Sequence, residues 1–105
     1  MTSKEFLQGL PTKINADVIA NLSTTFHFDF SEDNGGQVTV NLEEGKVNVS
    51  EGFTGTPSCT IKCTDENFKK ILKKELNPMM AMLSGKLKIS NQSEMLKFAK
   101  VLGWM

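Results

Sequence analysis

Apolar residues return at every second position through the middle of this chain and at helical spacing on either side. Phe26, Phe28 and Phe30 alternate with His27 and Asp29, and Val38, Val40 and Leu42 alternate with Thr39 and Asn41. Val47 and Val49 follow, then Cys59, Ile61 and Cys63. Period two is the spacing of strands with one buried face. The breaks fall where turns are easily built. Ser31 to Gly36 ends Asn-Gly-Gly, Glu43-Glu44-Gly45-Lys46 is a tight turn, and a glycine-rich loop from Glu51 to Pro57 precedes the fourth strand. The pattern predicts a meander with strands two to four in antiparallel pairs.

The flanks carry the other period. Phe6, Leu7 and Leu10 form one apolar patch before Pro11, and Ile14, Val18 and Leu22 share a face of a second helical segment that Thr12 or Asn15 can cap. Thr64 is placed to cap a helix with Asp65 and Glu66 in its first turn and Lys69, Lys70, Lys73 and Lys74 later, an order that suits the helix dipole. Its apolar face is Phe68, Ile71, Leu72 and Leu76. Asn77 and Pro78 then open a short helix holding Met79, Met80, Met82 and Leu83, and Gly85 stops it before a strand from Lys86 to Ser90. That helix is apolar around much of its circumference, so covering on several sides is expected. A last helix at about 92–102 places Met95, Phe98 and Leu102 on one face. The order predicts an α+β fold: a five-stranded, mostly antiparallel sheet with helices covering one face, the fifth strand arriving by a helical crossover to lie parallel to a neighbour.

The chain has 105 residues and is expected to form one domain, 1–105. Twelve lysines balance twelve acidic residues, and arginine is absent. Without that bidentate fork, and with no net positive charge, nucleic-acid binding is not expected. No segment has the length of a membrane-spanning helix or the order of a signal peptide, so the expectation is a cytoplasmic, monomeric protein. Cys59 and Cys63 would share a strand face about 13 Å apart, too far for a disulfide. With one histidine in the chain, neither a metal nor a cofactor is expected.

Several local patterns, taken in order, resemble the type-two sterol carrier protein family, the non-specific lipid-transfer domain. They are Leu10-Pro11, Ala20-Asn21-Leu22 before the aromatic strand, Gly45-Lys46, Thr64-Asp65-Glu66-Asn67-Phe68 with its lysine-rich helix, and Asn77-Pro78 followed by Gly85-Lys86-Leu87-Lys88-Ile89. The resemblance spans essentially the whole chain. It implies an apolar tunnel between helices and sheet, guests such as fatty acids, acyl-CoA esters, phospholipids or sterols, and no catalytic residues in this domain. Animal peroxisomal members end in a small-basic-Leu signal, whereas this chain ends Gly103-Trp104-Met105, so targeting through that signal is not expected.

The candidate lipid-binding residues are Val38, Val40, Phe68, Leu72, Met79, Met80, Met82, Leu83, Met95, Phe98 and Leu102. Core packing is the ordinary reason for any one of them. As a set, the methionines favour a deformable lining, because unbranched thioethers fit contacts of variable shape. An empty void of a few hundred Å³ would cost on the order of 10 kcal/mol, so a guest or flexible side chains must fill such a space. Lys69, Lys70, Lys73, Lys74, Lys86 and Lys88 are candidates for contact with an anionic membrane surface or a coenzyme A phosphate, the plainer account being a solvated helix face. The leading functional expectation is non-enzymatic lipid binding and transfer. The alternatives are a regulatory domain whose apolar groove docks a partner protein, and an enzyme with Cys59 or Cys63 as nucleophile, which lacks a paired base. His27 and Asp29 share the face opposite the phenylalanines without a nucleophile beside them, and are expected to be an exposed or satisfied pair.

Overall fold

A computed structural model describes residues 2–10, 20 and 22–96. Five strands form one sheet: β1 (Thr24–Asp29), β2 (Gln37–Glu43), β3 (Lys46–Glu51), β4 (Cys59–Cys63) and β5 (Leu87–Ile89), in the order β3-β2-β1-β4-β5. The two hairpin turns behave as their sequences predict, giving antiparallel registers such as Phe28 opposite Val38 and Val40 opposite Val49. Phe26, Phe28, Val38, Val40, Leu42, Cys59, Ile61, Cys63 and Leu87 are all buried on the face that the helices cover. The α+β class and the mostly antiparallel sheet are as expected.

Two pairings differ from the expectation. β4 lies parallel to β1, with Phe26 opposite Cys59, and not beside β3. β5 is antiparallel to β4, with Cys63 opposite Leu87. The first difference arises in the glycine-rich segment 52–58. It leaves β3 where the amide of Gly52 donates to the Gln37 carbonyl at 2.8 Å, and joins β4 where the amide of Ser58 donates to Thr25 at 2.8 Å. The segment therefore runs diagonally under β2 and β1 on the sheet face away from the helices. It covers His27 and Thr39: Phe53 stacks on the imidazole at 4.4 Å, and Thr39 Oγ1 donates to the Gly52 carbonyl at 2.7 Å and accepts from the Thr54 amide at 3.0 Å. The second difference lies in the connection. Two helical segments, 65–72 and 78–83, separate β4 from β5, so this connection is not the single-helix crossover of a parallel βαβ unit.

The helices are α1 (Ser3–Gln8), α2 (Asp65–Leu72) and α3 (Pro78–Leu83), with a further helical turn at 92–96. A capping box opens α1, the Glu5 amide donating to Thr2 Oγ1 while the Thr2 amide donates to Glu5. α2 is capped twice. Asn67 donates to Thr64 Oγ1 at 3.0 Å, and the Asp33 carboxylate accepts from the amides of Asp65 and Glu66 at 2.8 and 3.1 Å. That second cap needs the β1–β2 turn pressed against α2, which Gly35 permits: a Cβ there would meet Phe30 Cβ at 2.6 Å and Asp65 Cβ at 2.9 Å. Phe68 joins the layers, its ring 5.2 Å from Phe30, 5.8 Å from Phe28 and 6.4 Å from Phe6. The expected second helical segment, with Ile14 and Val18, and the last helix beyond residue 96 lie outside the described residues.

Candidate functional site

α3 is held by its ends. Asn77 Oδ1 accepts from the amides of Met79 and Met80 at 2.8 and 3.4 Å, and Pro78 fills the first helical position. At the other end Gly85 takes φ +78°, which lets the Lys86 amide turn back to the Ala81 carbonyl at 2.8 Å. Between those anchors the helix is inside out. Ala81 is its one buried residue, and the helix packs by that side against β5. Met79, Met80 and Leu83 are 64%, 60% and 77% exposed. At 100° per residue, Leu83 projects between Met79 and Met80, so the three form one patch on the side opposite Ala81. Among the described residues, the expected cover on several sides is not found over Met79, Met80 and Leu83.

The expected lining residues thus fall into separate groups. Val38, Val40 and Phe68 are fully buried, which leaves no water-sized gap against them. Met95 is buried too, in the turn at 92–96 that Thr24 Oγ1 ties to β1 by donating to Glu94 at 2.7 Å. Leu72 and Met82 are half-buried, and with Leu76 and Ile89 they edge the core. Leu76 and Ile89 were not among the expected lining residues. Their signal was their place at the ends of apolar runs, where a face meets solvent. Phe98 and Leu102 lie outside the described residues.

The six lysines do not form one cluster. Lys69 pairs with Asp65 at 3.4 Å and Lys70 with Glu66 at 3.6 Å, both across one helical turn. Lys88 alternates with Leu87 and Ile89 and so faces the other side of the sheet, opposite Lys62. Lys73 is the C-cap of α2 and Lys74 follows it, shortly before α3 begins, and Lys86 comes three residues after α3 ends. None of these three forms an ion pair among the described residues.

Among the described residues, the two cysteines are poorly suited to covalent chemistry. Burial pushes the Cys63 thiol up to about 12, with the Asp33 and Glu32 carboxylates adding to the effect. Burial also raises the Cys59 thiol, against the Asn91 carbonyl 3.4 Å away. The thiolate is the reactive form, so both are poor nucleophiles at neutral pH. His27 is satisfied and 6% exposed, with Nε2 2.9 Å from the Thr54 carbonyl oxygen. Among the described residues no group of three metal-ligating side chains converges, and no helix is long and apolar enough to cross a membrane.

Known proteins match this architecture along nearly its full length. The SCP-2 sterol transfer family matches residues 4–102. Hydroxysteroid dehydrogenase-like protein 2 of Xenopus tropicalis is 28% identical over an alignment of 104 positions that covers 97% of this chain and 25% of that protein. The chain therefore spans about a quarter of the length of the curated relatives it matches. The solution structure of the sterol carrier protein domain 2 of Helicoverpa armigera superposes with a TM-score of 0.76 at 24% identity, covering 96% of this chain and 83% of that one. A stereoselective inverting sec-alkylsulfatase from Pseudomonas sp. contains the same fold, with a TM-score of 0.81 at 18% identity over 98% of this chain and 16% of the enzyme. These structural likenesses speak to fold. The match over residues 4–102 speaks to family: this chain belongs to the SCP-2 sterol transfer family.

Proposed function

We propose that this domain binds the hydrocarbon part of a lipid, whether fatty acid, acyl-CoA, phospholipid or sterol, and transfers it without covalent chemistry. Family membership supports this, and one observation carries it to particular residues. Leu72, Leu76, Met82 and Ile89 are half-buried against the core, and Met82 belongs to a helix whose other large apolar side chains are left uncovered. A hydrocarbon chain enters at these half-buried residues, with the flexible Met82 side chain giving way. Leu72, Met82 and Met95 then form the wall of the site. Val38, Val40 and Phe68 form a floor that the guest touches only after displacing what covers them.

Apolar burial supplies the driving force. About ten buried methylenes at about 0.8 kcal/mol each contribute about 8 kcal/mol before immobilisation costs, the free energy of a micromolar complex. Head-group discrimination is low, because Thr24, one of the few polar side chains on this face, is already engaged by Glu94. Titration with a fluorescent fatty acid tests the reading. Saturable binding that a non-fluorescent fatty acid displaces is expected. Failure of fatty acid, acyl-CoA, phospholipid and sterol alike to saturate the protein would leave the groove to a protein partner instead.

A further inference from the structure

We propose that the outward face of α3, Met79, Met80 and Leu83 together with Lys73, Lys74 and Lys86 in the segments before and after it, is the surface by which this domain docks on an anionic lipid bilayer. The uncovered trio exposes roughly a few hundred Å², the size of the largest apolar patch on a typical monomer and one that is often functional. The charge around it is unlike the rest of the chain. Residues 69–89 hold six of the twelve lysines and one of the twelve acids, a balance of 6 − 1 = +5, so the remainder carries 6 − 11 = −5. Lys69 and Lys70 are occupied by Asp65 and Glu66, which leaves the three lysines that flank α3 in sequence unpaired among the described residues.

α3 is about 9 Å long at 1.5 Å per residue, comparable to the Debye length at physiological salt, so charge carried in the segments just before and just after it acts on a surface that the patch touches. A short helix lying in the interface, apolar side chains among the acyl chains and lysines at the phosphates, is the geometry these residues offer. The patch lacks the Trp, Tyr and Arg anchors that dominate protein–protein contacts, which favours lipid over a protein partner. The purpose of docking rests on the lipid-transfer reading, but docking itself is measured separately.

The test is co-sedimentation of the full chain with vesicles of phosphatidylcholine and phosphatidylserine, against vesicles of phosphatidylcholine alone. The parent is expected to bind the mixed vesicles, less so at high salt. Each lysine near such a surface is worth about fivefold in partitioning, so Lys73→Gln/Lys74→Gln/Lys86→Gln should lose about a hundredfold. Met80→Ser/Leu83→Ser should lose about tenfold or more. Lys4→Gln/Lys46→Gln/Lys62→Gln removes equal charge elsewhere and should stay within a few-fold of the parent. Equal losses in the two lysine triples, unchanged binding in the α3 variants, or parental binding indifferent to phosphatidylserine would each overturn the proposal. Fatty-acid titration without vesicles reads the other proposal alone: vesicle docking without fatty-acid uptake sinks the lipid-binding reading and leaves the surface standing.

Discussion

Truncating Leu83 should hardly matter to stability, which is unusual for a leucine in a helix of a small domain. At 77% exposed, Leu83 keeps less than a quarter of its surface covered. Full burial of such a side chain is worth about 1.5–3 kcal/mol, so removing a quarter of it costs about 0.5 kcal/mol. No cavity remains, since nothing closes over the side chain, and alanine is the slightly better helix former by a few tenths of a kcal/mol. Leu83→Ala is therefore expected to change stability by less than about 0.5 kcal/mol. Leu87→Ala, four residues on, is the contrast. Leu87 is buried on β5, and its truncation carries the transfer and cavity costs together, about 2–5 kcal/mol. Urea unfolding of both variants at constant m separates the two cases. A loss of 2 kcal/mol or more for Leu83→Ala would mean that this side chain is covered in solution, and the reasoning about an inside-out helix would fall with it.

Two further outcomes follow from groups away from that patch. Asp65 accepts from the Ser3 amide at 2.6 Å, and although burial works against ionisation, this bond and Lys69 hold its carboxyl below the ordinary value. Its contribution is thus present above the usual carboxylate pKa near 4 and lost as pH falls through the lower folded value. Asp65→Ala should cost about 2 kcal/mol at neutral pH, and its gap from the parent should narrow below about pH 4 in thermal or urea unfolding; a gap independent of pH would refute the linkage. Cys59 and Cys63 should resist a thiol-reactive disulfide reagent at neutral pH until the protein is unfolded, when both react. Rapid modification of the native protein would reopen a nucleophilic role for them.

Local signals in the sequence foretold much of this molecule. Period two placed Phe26, Phe28, Val38, Val40, Ile61 and Cys63 on one buried face, and Asn77 and Gly85 fixed the two ends of α3. What periodicity does not encode is which strand pairs with which. The 52–58 segment looked like a hairpin connection to a neighbouring strand because its glycines make any turn easy. Its aromatic residue was the overlooked sign, since Phe53 in a loop otherwise of small residues needs something to pack on, and His27 supplies it. Sequence position alone groups the lysines, whereas Asp65 and Glu66 stand four residues before Lys69 and Lys70 and pair with them. For α3, the overlooked sign was the one small residue among large ones. Ala81 lets the helix pack against β5, and that choice turns Met79, Met80 and Leu83 outward.

The orientation of α3 joins the two proposals physically. Met82 points toward the half-buried edge while Met80 and Leu83 turn away from it, and Met79 lies one turn before Met82, about 60° from it around the axis, so a guest and a membrane would contact neighbouring sides of one two-turn helix. Side chains one turn apart, such as Met79 and Met82, have Cβ atoms about 5–6 Å apart, which is less than the length of a fatty acyl chain. A chain leaving the bilayer could therefore meet Met82 before its far end had lost lipid contact, and the apolar surface exposed to water at any moment would stay small. At about 25 cal/mol per Å², each 100 Å² kept from water removes about 2.5 kcal/mol from the transfer barrier. On this account charged substitution at Met80 or Leu83 slows transfer between vesicles while leaving the equilibrium affinity for a soluble fatty acid unchanged. If affinity and transfer rate fell in proportion, the helix would be only part of the pocket and not the passage into it.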